Sequence, residues 1–164
     1  MNTQLRYLVV ANQTLGGEQL MDEVRRRAAA RPSSFFILVP ATAPGNVRLG
    51  ANATILFSEG LSPPPDVEAR AQAAEHRALL TSQSRLGQLI RRIRAEGHDA
   101  EGEIGAVDPL KSIDAVVGRG GRFDGIIIST LPIGVSRWLR TDLPHKVERR
   151  YKLPVTTVTA KPGG

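Results

Sequence analysis

Short apolar runs alternate along this chain with longer segments whose hydrophobic residues return every three or four positions, and that alternation leaves few folds open. Leu5–Ala11 (LRYLVVA) is the first such run, ending at Asn12-Gln13-Thr14 as a buried strand feeding a loop would. Residues 18–31 follow Gly16-Gly17 and repeat Leu20, Met21, Val24 and Ala28 at helical spacing until Pro32 stops them. Residues 35–39 (FFILV) are β-branched and aromatic, too short for a stable helix, and closed by Pro40. Two strands with a helix between them lie parallel and are joined by a right-handed crossover.

The same reading continues to the end of the chain. Residues 41–65 mix Pro44, Gly45, Gly50, Gly60 and Pro63-Pro64-Pro65 with a short strand candidate at 53–57, and are expected to form a long surface excursion placed as a flap over a site. Asp66 is expected to cap a long helix over 67–95, with Val67, Ala71, Ala74, Ala78, Leu86, Leu89, Ile90 and Ile93 as its apolar stripe, a break near Thr81 to Ser84, and Gly97 at its end. Residues 99–105 (DAEGEIG) suit a polar edge strand, on which Glu101 and Glu103 share one face and act as solubilising groups. Asp108-Pro109 combines an N-cap carboxylate with a first-position proline and opens a helix over 110–117, with Ile113, Val116 and Val117 inward. Residues 124–130 (DGIIIST) form the most apolar strand, 131–140 a loop, Thr141-Asp142 the start of a last helix through Tyr151, and 154–159 the closing strand. Five strands thus alternate with four helices in one domain over residues 1–160, with 161–164 as a tail.

Composition closes several functional classes. The 164 residues are 41% hydrophobic, enough for a core, yet the longest apolar stretch is far short of the roughly 20 residues of a membrane helix. With no signal-peptide layout at its start either, the expected location is cytoplasmic. The absence of cysteine excludes disulfides, thiol nucleophiles and thiolate metal sites, and His76, His98 and His145 lack ligand spacing, so no metal is expected. A net charge of +6 favours anionic partners without choosing among them. Arg25 to Arg27 and Arg91, Arg92 and Arg94 sit on helical faces with no interleaved aromatics, which fits solvated surface better than a specific nucleic-acid patch.

In an open parallel sheet a ligand lies beyond the carboxyl ends of the strands, where the strand order reverses. The candidate contacts are Ala11, Asn12 and Val39 at the exits of the first two strands, Ser129 and Thr130 at the exit of the fourth, and Gly134, Arg137, Arg140 and Thr141 beyond it. A helix starting at Thr141-Asp142 would aim free N–H groups and a positive dipole end at the same place. Each residue also has a plainer role: Asn12 as a turn former, Ser129 and Thr130 as partners of loop backbone, Arg137 and Arg140 as solvated cations, Trp138 as a core anchor. Ser136 lacks the glycines of a nucleophile elbow and no histidine has an evident Ser or Asp partner, so no catalytic residue is assigned.

The segment Gly105-Ala106-Val107-Asp108-Pro109, continuing through Ile113 to Asp124-Gly125-Ile126-Ile127-Ile128-Ser129-Thr130, resembles the Asp-Pro helix start and following strand of the universal stress protein family. Leu143, Val147 and Pro154-Val155 resemble that family's last helix and strand. The resemblance implies an α/β fold: an open five-stranded parallel sheet ordered 3-2-1-4-5 with helices on both faces, of the adenine nucleotide alpha hydrolase-like kind. It also implies a homodimer through the last strand. The departures fall on the family's ATP site, where Asn12 replaces an Asp, Ser129 stands at the first loop glycine, and Leu131 or Pro132 at the second. Proline and β-carbons obstruct the close backbone approach that glycine allows. The expected cofactor is therefore an adenine nucleotide or smaller anion bound without the ATP loop, with ATP itself held poorly. The resulting expectation is a non-catalytic regulatory module; the alternatives are a nucleotide-hydrolase-like enzyme, or a nucleic-acid or protein interaction module using the Arg-rich helices.

Overall fold

A computed structural model describes residues 4–11, 17–41, 65–130, 138 and 141–159. The strands are β1 (Leu5–Ala11), β2 (Ser33–Pro40), β3 (Asp99–Gly105), β4 (Gly125–Thr130) and β5 (Val155–Thr159), and they form one parallel sheet in the order β3-β2-β1-β4-β5. The helices between them are α1 (Glu18–Ala30), α2 (Pro65–Ala95), α3 (Pro109–Gly118) and α4 (Leu143–Tyr151). The expected sheet order is the observed one. Residues 42–64, with the strand candidate and the flap reading, lie outside the described residues, as do 160–164.

Strand alternation sends successive β1 side chains to opposite layers. Tyr7, Val9 and Ala11 join Leu20, Met21 and Val24 of α1 and Leu86, Leu89 and Ile93 of α2 in one core. Leu8 and Val10 face the other core, built on Ile113 and Val116 of α3 and Leu143 and Val147 of α4. Trp138 packs half-buried against this second core, and Val117 is half-buried there rather than fully inward.

Helix α2 differs from expectation in its start and in its continuity. Helix α2 begins at Pro65, so Asp66 sits inside its first turn instead of capping it, a position proline tolerates because the first N–H has no helical partner. The break expected near Thr81 to Ser84 is absent: α2 runs unbroken for 31 residues, with Thr81 Oγ1 donating to the Arg77 carbonyl at 2.9 Å and Ser82 buried. Bonding back to a carbonyl one turn earlier lets a hydroxyl residue stay inside a helix. By contrast, Asp108 caps α3 as expected, its Oδ1 accepting from the Leu110 N–H at 2.9 Å.

Glycine decides how closely α2 and β2 approach β3. A β-carbon at Gly102 would stand 2.4 Å from the Ile37 carbonyl oxygen and 3.1 Å from Leu86 Cδ1, whereas one at Gly87, midway along α2, would meet nothing within 4 Å. Gly102→Ala is expected to destabilise the fold by about 1 to 3 kcal/mol through overpacking against backbone. Gly87→Ala should stabilise it by about 0.5 to 1 kcal/mol through helix propensity. Urea titrations of the two variants read both signs.

Candidate functional site

Parallel pairing brings the strand exits level. Ala11 is in register with Ser129, and Ser129 with Val158, so the ends of β1, β4 and β5 form one rim. Ala11 and Val39 belong to the core under α1 and α2. The period-two alternation from Ile127 puts Ser129 on that same face and Thr130 on the opposite one. Ala11, Val39 and Ser129 are therefore brought to one side of the rim, and Thr130 is held across the sheet from them. Both hydroxyl residues are buried. Among the described residues, no buried side-chain nitrogen or oxygen lacks a hydrogen-bond partner. Asn12, Gly134, Arg137 and Arg140 lie outside the described residues.

The last helix departs from expectation where it matters for an anion. It starts at Leu143, not at Thr141-Asp142. Asp142 is in the left-handed region at φ 57°, makes no capping bond, and its Oδ1 lies 2.5 Å from His145 Nδ1, while exposed Thr141 donates to the Trp138 carbonyl at 3.3 Å. Pro144 is the second helical residue and has no N–H. A carboxylate and a proline thus occupy the turn that was expected to supply free donors.

The exits of β2 and β3 are tied to each other, since the Ala41 N–H reaches the Gly105 and Ala106 carbonyls, both at 3.2 Å. Four arginines of α1 and α2 are paired with acids of the same layer. Arg25 meets Glu96 at 2.7 Å, Arg92 meets Glu18 at 2.6 Å, and Arg26 and Arg27 both meet Glu23 at 2.7 Å. The edge carboxylates are likewise paired, Glu101 with Arg6 at 3.0 Å and Glu103 with Arg119.

Sequence reasoning missed two clusters. One centres on Glu23, which reads from sequence as a solvent-facing helix residue and is in fact buried. Arg27 bridges it to Thr156 Oγ1 at 2.6 Å and lies 5.2 Å over the Tyr7 ring, tying α1 to β1 and β5. The other is a cleft of about 840 Å³ beside α4, lined by Asp142, His145, Glu148, Arg149, Lys152, Leu153 and Pro154. The helical spacing of its charged residues resembles an ordinary solvated face, so sequence carries no signal for it. Among the described residues no group of three or more His, Asp or Glu could hold a metal ion, and no helix is long and apolar enough to cross a membrane.

No protein-family model matches the chain, and no curated protein matches it by sequence. Among solved structures, the universal stress protein from Archaeoglobus fulgidus superposes with a TM-score of 0.52 at 13% identity, over 94% of this chain and 93% of that one. The fold is that of a universal stress protein. The five-stranded parallel sheet in the order 3-2-1-4-5, with four helices, is the stress-protein arrangement, and the superposition spans nearly the whole chain. The stress-protein likeness is one of backbone architecture.

The Glu23 cluster has a consequence for acid stability. Burial pushes its carboxyl up, but the Arg26 and Arg27 guanidinium groups outweigh burial and hold its pKa below the ordinary 4.5. A carboxyl depressed in the folded state stabilises above its unfolded pKa, and that stabilisation is lost as pH falls through the lower folded value. Glu23→Gln should therefore lower stability by about 1 to 2 kcal/mol at pH 7. Its deficit against wild type should shrink below pH 4.5, which thermal melts across pH 7 to 3 would show.

Proposed function

We propose that the rim at the β1 and β4 exits binds a small anionic ligand, an adenine nucleotide or a fragment of one, without turning it over, and that the protein is a cytoplasmic regulatory module. The observation that carries this reading is the register of Ala11 with Ser129 at the point where the sheet order reverses. Neighbouring crossovers run to opposite sides there, and the crevice between them is the usual ligand position of open α/β sheets. Val39 and Ser129 border the same face, and the sequence adds Asn12, Thr130, Gly134, Arg137, Arg140 and Thr141 as further contacts. The carboxylate and proline at the start of α4 favour a ligand of low charge over a full triphosphate.

The relative's printed name speaks of stress, and a binding rather than hydrolytic role suits a chain whose sequence offers no nucleophile elbow. Pairing with a second copy through β5 belongs to the same proposal. Among the described residues β5 pairs with β4 alone, and it alternates Val155, Thr157 and Thr159 with Thr156 and Val158. On the other edge, Arg94 Nε donates to the Ala100 carbonyl of β3 at 2.8 Å. Unpaired edges favour covering.

Calorimetric titration of ATP, AMP and phosphate into wild type and Arg137→Ala tests the site. AMP or phosphate should bind, ATP should bind more weakly than AMP, and Arg137→Ala should reduce affinity about tenfold. Tight Mg-dependent ATP binding would contradict the low-charge reading; phosphate release above background, abolished by Ser129→Ala, would make the protein an enzyme. Sedimentation at micromolar concentration should give a homodimer that Val158→Lys dissociates, and a wild-type monomer would remove the β5 pairing.

A further inference from the structure

We draw no further inference here: the strongest candidate, the exposed surface patch of α2 that bears Leu79 and Leu80, carries none because nothing in the structure shows what covers it.

Discussion

Strand β1 is the element on which the rest of the molecule hangs, because it is paired on both edges and covered on both faces. Leu8, Val9, Val10 and Ala11 are fully buried, with β2 on one side and β4 on the other. Over these four residues the strand tolerates no polar side chain, which is why Leu8–Ala11 reads as an unbroken apolar run. The same double pairing sets the geometry of the candidate site: the chain winds outward from β1 in two directions, so the exits of β1 and β4 meet where the strand order reverses.

The opposite end of the sheet is locked by different forces. The Arg6 N–H donates to Asp124 Oδ2 at 2.8 Å and its carbonyl accepts from the Asp124 N–H at 2.7 Å. Its guanidinium lies 4.9 Å over Phe123 and 5.9 Å over Phe36 while meeting Glu101 at 3.0 Å. One arginine therefore joins β1, β2, β3 and the entry to β4 through charge, ring face and backbone together. Arginines that look like a surface field in sequence are in this half of the protein structural ties between helices and strands.

Much of the fold was legible because its signals are local. Asp108-Pro109 announces α3, the run Ile126-Ile127-Ile128 announces a strand buried on both faces, and Asp99 to Gly105 announces an edge. The misreadings have a common cause, in that a residue's local preference was overruled by a partner one turn or one element away. Thr81 stays helical by bonding to Arg77, and Asp142 leaves the helix because its carboxylate is turned to His145. The candidate site was legible only in part. Register brings Ala11, Val39 and Ser129 to one face, which the strand pattern permits one to read, whereas Thr130 falls across the sheet by the same period of two. The α4 cleft was not legible at all, since its charged residues have the spacing of an ordinary solvated helix face.

Ion pairing also bears on the protein's net positive charge. A cation held by a carboxylate contributes little to the field that an approaching partner meets, because the pair acts as a dipole whose potential falls off faster than that of a lone charge. On the α1 and α2 side, Arg25 is divided among Glu18, Asp22 and Glu96, and Glu23 is shared by Arg26 and Arg27. On the layer of α3 and α4, Arg119 is held by Glu103 and Arg150 by Asp114 in the same way. At the start of α4, a crossover helix that follows β4 and so begins at the carboxyl ends of the strands, Asp142 adds a negative charge that disfavours a highly charged anion there.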